Sequence, residues 1–204
     1  MVLAKSMESL MEGNSVIRKM FELGREMAKK YGKDAVYDFS LGNPVAEVPY
    51  EVKNAIISLL ENQDPHEIHG YMQNAGFEDV REAVAEHLKK RFSVDYTKEN
   101  ILLCAGAAGG LNILARCLLD EEDEVLSFAP YFTEYKSYVS HYKGKLTVIP
   151  VKENDFSLNV EEAEKRIGRR TKAVILNNPN NPSGIIYSEE ELRALALMLE
   201  KAEE

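Results

Sequence analysis

Up to Leu88 the apolar residues recur at helical spacing; from Asn100 onward short apolar runs alternate with helical stretches. Val16, Ile17, Met20, Phe21, Met27, Ala28 and Tyr31 predict an amphipathic helix over Ser15 to Tyr31, closed by Gly32-Lys33-Asp34. An extended piece, Ala35 to Leu41, runs into Gly42-Asn43-Pro44. Val52, Ile56, Leu59 and Leu60 mark a second helix, which stops at Asn62 to Pro65. Phe77, Val80, Val84 and Leu88 mark a third, with Gly76 at its start. Beyond it, strands are expected over Ile101 to Ala105, Glu124 to Ala129, Lys145 to Val151 and Lys172 to Asn177. Helices are expected over Ala107 to Leu119, Phe132 to Lys143 (closed by Gly144) and Asn159 to Ile167. Asn159 with Glu162, and Ser188 with Glu191, have capping-box spacing, and the second pair opens the last helix.

Strands alternating with helices at this spacing predict a three-layer α/β/α fold with a mostly parallel sheet covered on both faces. Ligands of such sheets bind beyond the carboxyl ends of the strands, so the segments that follow strands are the candidates. Gly106-Ala107-Ala108-Gly109-Gly110 follows the first. Small residues let a ligand approach the backbone, and the next helix offers free N–H groups to a phosphate; a tight turn needing glycine for packing is the alternative. The segment has neither G-x-G-x-x-G nor G-x-x-x-x-G-K-[ST], and the next strand ends Leu126-Ser127-Phe128 without the carboxylate a nicotinamide site would want. Pro130-Tyr131-Phe132 follows the second strand, its aromatics either lying over a ligand or filling the core. Asn177-Asn178-Pro179-Asn180-Asn181-Pro182-Ser183-Gly184 follows the fourth. Its two X-Pro steps exclude helix, and its four amides stand at a strand end, as ligand groups or as an Asn-rich turn.

Composition narrows the class further. The chain has 204 residues, 45% hydrophobic and 29% charged, which argues for a packed globular core rather than disorder. The net charge of -9 disfavours nucleic acid and anionic membrane as partners. The acidic excess of Ser188 to Glu204 reads as the solvated face of one helix. There is no basic-then-apolar leader pattern and no apolar run of about 18 residues, so a cytoplasmic protein is expected. Cys104 and Cys117 each lie in an apolar run and are expected to be buried thiols. His66 and His69 lack further ligands at suitable spacing, and no metal site is expected.

In order and spacing these segments resemble the amino-terminal half of class I/II aminotransferases, fold-type I enzymes that use pyridoxal 5′-phosphate. The landmarks are Leu41-Gly42-Asn43-Pro44, Tyr71, Gly76 with Arg81, Gly106-Ala107-Ala108, Pro130-Tyr131-Phe132 and Asn178-Pro179-Asn180-Asn181-Pro182-Ser183-Gly184. The resemblance implies that backbone N–H groups around Gly106, Ala107 and Ala108 hold the cofactor phosphate. It implies that Phe132 stacks on the pyridine ring and Asn181 donates to its phenolic oxygen. Tyr71 would reach the phosphate of a neighbouring subunit in a homodimer, and Gly42 would lie beside the substrate carboxylate. It also implies that an Asn–Pro bond of the last segment can be cis. The activity implied is ping-pong transfer of an amino group between an amino acid and a 2-oxo acid, or a lyase or synthase reaction on the same fold.

Two departures accompany the resemblance. Relatives often have Ser or Thr in the phosphate loop, where this chain has only Ala107 and Ala108. The Schiff-base lysine, the carboxylate for the pyridine nitrogen and the substrate-clamping arginine lie, in the family, beyond the Asn-Pro segment. Here Glu204 is twenty residues after Gly184. The expectation is a truncated large domain, with residues 1–48 as an N-terminal arm and small-domain helix and 49–204 as the first part of the cofactor domain. Such a chain would be inactive alone, or a non-catalytic product. Ser140-His141-Tyr142-Lys143 is the one S-x-x-K, and it ends a helix rather than a strand.

Overall fold

The computed structural model describes residues 16–39, 42, 46–152 and 155–203. The chain divides into two compact units, Met1–Tyr71 and Met72–Glu204. The first holds α1 (Val16–Tyr31), a 3₁₀ turn (Lys33–Ala35), α2 (Tyr50–Asn62) and α3 (Pro65–His69). Helix α1 ends where Gly32, at φ +93°, returns its N–H to the Ala28 carbonyl at 3.0 Å. Asp64 caps α3 by accepting the His66 N–H at 2.8 Å, with Pro65 at the first helical position. Helix α2 buries none of its residues, although Val52, Ile56, Leu59 and Leu60 recur as a helix seeking a core would require.

The second unit runs α4 (Glu78–Phe92), a 3₁₀ turn (Lys98–Asn100), α5 (Gly106–Leu118), β1 (Glu124–Phe128), α6 (Glu134–Ser140), β2 (Lys145–Ile149), α7 (Val160–Arg166), β3 (Thr171–Ile175) and α8 (Glu189–Glu203). The three strands form one parallel sheet in the order β2-β1-β3. Glu124 to Phe128 pair in register with Lys145 to Ile149. On the other side Val125, Leu126 and Ser127 face Ala173, Val174 and Ile175, after a one-residue irregularity at Glu124/Val125. Successive strand residues point to opposite faces. Val125, Leu146, Ala173 and Ile175 pack with Leu119 and Val139, on the side of α5 and α6. Leu126, Phe128, Ile149 and Val174 pack with Ala163, Leu195 and Met198, on the side of α7 and α8. The predicted α/β/α layering and parallel sheet are therefore present.

Several local expectations change. Ile101 to Ala105 is extended but forms no ladder. Its one long-range main-chain bond is Leu103 N–H to the Ala75 carbonyl at 2.9 Å, and an apolar run without a strand to bond to does not become one. The helix predicted over Phe132 to Lys143 runs only from Glu134 to Ser140: Pro130, with fixed φ and no N–H, ends the extended chain, Tyr131 and Phe132 lie in the irregular segment after it, and 141–143 form a turn. Cys104 and Cys117 are exposed rather than buried: Cys104 precedes α5 and Cys117 lies on that helix, none of whose residues is fully buried. Asn159 does cap α7, accepting the Glu162 N–H at 3.1 Å, but Glu162 turns outward to Arg166 (2.9 Å) instead of completing a box. The Ser188–Glu191 box is complete: Glu191 Oε2 accepts the Ser188 N–H and hydroxyl, each at 2.8 Å, and Ser188 Oγ accepts the Glu191 N–H at 3.2 Å.

Candidate functional site

Strands β1 and β3 are adjacent, but the chain leaves them for opposite faces: β1 leads into α6 on one, β3 into α8 on the other. Departures of that kind open a crevice between the carboxyl ends of the two strands. The segments bordering it are 129–133 and 176–188.

The β1 segment carries a cis Ala129–Pro130 bond, and the Ala129 N–H donates to the Ile149 carbonyl at 2.8 Å. Phe132 packs edge-to-face on Tyr135, ring centroids 5.7 Å apart at 79°, and keeps 37% of its surface exposed. The ring is thus held against Tyr135 and still partly open to solvent. Tyr135 is buried, and desolvation with Tyr138 nearby pushes its phenol up, so it stays protonated at neutral pH.

The β3 segment explains most of its own asparagines. Asn177 Oδ1 accepts the Asn181 N–H at 2.8 Å, and Asn178 Oδ1 accepts the Tyr187 N–H at 3.0 Å. Asn180, 7% exposed, accepts from the Ser183 N–H (3.2 Å) and hydroxyl (2.8 Å). Its own N–H donates to the Ile185 carbonyl at 2.8 Å, and its carbonyl accepts the Gly184 N–H at 2.7 Å. Both Asn–Pro bonds are cis. Three side-chain amides therefore hold the loop together. The fourth, on exposed Asn181, has no hydrogen-bond partner among the described residues. Asn-rich composition alone did not tell the builders of the loop from its free amide.

The third border is the amino end of α5. This helix is joined to β1 by a short turn at the strands' amino ends, and it runs back along the sheet. Its last residue Leu118 and the following Leu119 line one groove with Val125, and Leu111 lines it beside Ile175 and Leu176. Thirteen residues rise about 20 Å, so Gly106, Ala107 and Ala108 stand toward the carboxyl ends of the strands. Gly106 has φ +75°, which needs glycine. Its N–H turns to the Cys104 carbonyl at 2.9 Å. Ala107 and Ala108 are exposed, at positions whose N–H groups have no partner within the helix. No side chain caps them and no acidic residue occupies the first turn. Such an end offers main-chain donors and a positive dipole to an anion.

Arg81 and Gly76, read as landmarks, have a structural explanation. Gly76 lies at φ +99°, and a Cβ there would stand 2.6 Å from Leu103 Cδ1. Arg81 is buried and donates to the Gly76 carbonyl from Nε at 3.2 Å. Tyr71 and Gly42 belong to the other unit; both are exposed, and Leu41, Asn43 and Pro44 fall outside the described residues. Neither segment 129–133 nor 176–188 contains lysine. Lys143 of the S-x-x-K pairs with Glu121 at 2.9 Å, in the turn before β1 and hence at the opposite end of the sheet from the crevice. Among the described residues no group of three His, Cys, Asp or Glu could hold a metal ion, and no helix is long and apolar enough to cross a membrane.

The chain matches the family described as aminotransferase class I and II over residues 34–203. It is 36% identical over 162 residues to a probable aspartate/prephenate aminotransferase of Aquifex aeolicus, covering 79% of this chain and 40% of that protein. It is 31% identical over 168 residues to the aspartate aminotransferase of Bacillus subtilis, covering 82% and 42%. Among solved structures it superposes on an amino transferase from Eubacterium rectale with a TM-score of 0.93 and 39% identity, over 98% of this chain and 51% of that one. The chain thus spans about half the length of the relatives it matches.

Proposed function

The chain belongs to the aminotransferases of class I and II, and on that premise we propose that it is the amino-terminal part of a cytoplasmic, homodimeric enzyme dependent on pyridoxal 5′-phosphate. The reaction is transfer of an amino group between an amino acid and a 2-oxo acid. What supports this reading is that three open groups lie on the segments after β1 and β3 and at the amino end of α5: the unpaired N–H groups of Ala107 and Ala108, the partly exposed ring of Phe132 and the amide of Asn181, unpartnered among the described residues.

These groups fit the cofactor's chemistry. A phosphate needs donors without a competing carboxylate, and the first turn of α5 has none. The main-chain donors of Ala107 and Ala108 bind it without help from a hydroxyl. Phe132 holds an aromatic ring from one side, oriented by Tyr135. Asn181 Nδ2 would donate to the phenolic oxygen of the bound cofactor and so favour its ionised form. Gly42 leaves room for the substrate carboxylate, and Tyr71 reaches the phosphate of the second subunit. When bound, pyridoxal 5′-phosphate acts as the sink for the electron pair released at the substrate α-carbon. The lysine that attaches it, and that moves the α-proton, is supplied from outside residues 1–204.

The names of the relatives make aspartate the amino donor to try first. The protein expressed from the whole reading frame, loaded with cofactor, is mixed with aspartate alone. The expected result is one equivalent of 2-oxo acid per site and a stalled enzyme, restarted by a different 2-oxo acid. Release of ammonia or of a decarboxylated product, or no reaction with any amino acid, would contradict transamination.

A further inference from the structure

The cradle at Gly106–Ala108 is delivered by a segment, Ile101 to Ala105, that no ladder holds in place. What holds it is visible around Arg81. This side chain is 7% exposed and spends its donors on neutral oxygens: Nε on the Gly76 carbonyl (3.2 Å), Nη1 on the Lys98 carbonyl (2.9 Å) and Nη2 on Gln73 Oε1 (3.4 Å). The guanidinium thereby ties the turn at 73–76 to the start of the segment that leads to the cradle. The same turn grips the segment from the other side. Leu103 N–H donates to the Ala75 carbonyl at 2.9 Å, and the Leu103 side chain occupies the space beside Gly76. One residue on, the Cys104 thiol donates to the Gly106 carbonyl at 3.4 Å. Lys98 reinforces the joint with an ion pair to Glu78 on α4.

We infer that Arg81 is a positioning residue for the anion cradle: through Gly76 and Leu103 it sets where the N–H groups of Ala107 and Ala108 stand. A planar fork with fixed donor directions suits that task, because it holds three acceptors at set angles; a lysine would satisfy one at a time. The inference deepens the function proposed above and rests on reading Gly106–Ala108 as the phosphate site.

Amide spectra of the ¹⁵N-labelled chain, with and without inorganic phosphate, test it. In the ligand-free chain, Arg81→Met is expected to shift the amides of Leu103 and of Gly106 to Ala108 while those of Val125, Leu126 and Val139 stay put. Phosphate affinity at Ala107 and Ala108 is expected to fall about tenfold, the order of loss when fixed donors move by a fraction of an ångström. Arg81→Lys is expected to recover part of it. Unmoved cradle amides in Arg81→Met, or an unchanged phosphate affinity, would overturn the role of Arg81. A wild-type chain without any phosphate response would instead overturn the phosphate-site reading, and the ligand-free spectra would still decide about Arg81. Should Arg81→Met lose its folded spectrum, Gly76→Ala presses on Leu103 from the same turn with Arg81 intact. Cradle amides that stay in place in that variant would overturn the inference; the same displacement would support it.

Discussion

The two faces of the sheet are made from the same three strands and end in different states. On the α7–α8 side, Leu126, Phe128, Ile149, Leu158, Ala163, Leu195 and Met198 are all buried in one cluster. On the α5–α6 side the cluster among the described residues has three buried members, Leu119, Val125 and Val139, and an apolar groove runs between α5 and β3. Leu114 and Leu118, on the face of α5 predicted to pack, remain 55% and 47% exposed. The two sides are also joined differently. Glu191 caps its own helix and also accepts the Leu158 N–H at 2.8 Å, so one carboxylate joins α8 to the approach to α7. Among the described residues α5 is joined sideways, Asn112 Oδ1 lying 3.3 Å from His141 Nδ1 just after α6, and no side-chain bond ties it to the strands, where the groove runs. The closed face is a platform; the crevice with the candidate site opens at the carboxyl edge of that platform.

The comparison is broken most severely from the closed side. Ile149→Ala deletes a fully buried side chain from the larger cluster, and a loss of about 3–4 kcal/mol in urea unfolding is expected. Next is Asn180→Ala, which empties a buried side-chain position and removes the acceptor shared by the Ser183 N–H and hydroxyl. It should cost about 1–3 kcal/mol and disorder the loop, whereas Asn181→Ala should leave stability unchanged and weaken cofactor binding. Third is the Glu191 joint. Burial alone would raise its pKa, but the N–H groups of Ser188 and Leu158 outweigh this and hold it below the usual carboxylate value of 4.5. A lowered folded value means the stability is present above pH 4.5 and is lost as pH falls below it, through the folded value. Glu191→Gln should flatten that part of the stability–pH curve, measured by urea midpoints between pH 3 and pH 6. Smallest is Leu114→Ser on the open face, expected to change the midpoint by less than about 0.5 kcal/mol. A large loss there would mean that the groove is closed in solution.

Much of this architecture is legible in the residues. The alternation from Glu124 onward predicts the sheet, and Ser188 with Glu191 predicts the start of the last helix to the residue. The misses have physical causes. Ile101 to Ala105 has the composition of a strand, but pairing depends on a partner that local sequence does not reveal. Cys104 and Cys117 sit among apolar neighbours, yet burial belongs to the face and not to the run. Phe132 reads as helical from its spacing, but it lies in the irregular segment between Pro130 and α6. In the Asn-rich loop the sequence locates the place but not the division of labour, because amides that brace a turn and one that awaits a ligand are the same residue. Arg81 was legible only as a landmark, since its acceptors are main-chain oxygens that no side-chain pattern encodes.

The crevice between β1 and β3 is the proposed seat of the cofactor. The most direct test is an amide chemical-shift map of the ¹⁵N-labelled chain titrated with pyridoxamine 5′-phosphate, which has no aldehyde to react with surface lysines. Saturable shifts grouped at Ala107, Ala108, Phe132 and Asn181 are the predicted result. No saturable shift, or shifts grouped at the amino ends of the strands around Glu121 and Lys143, would contradict it.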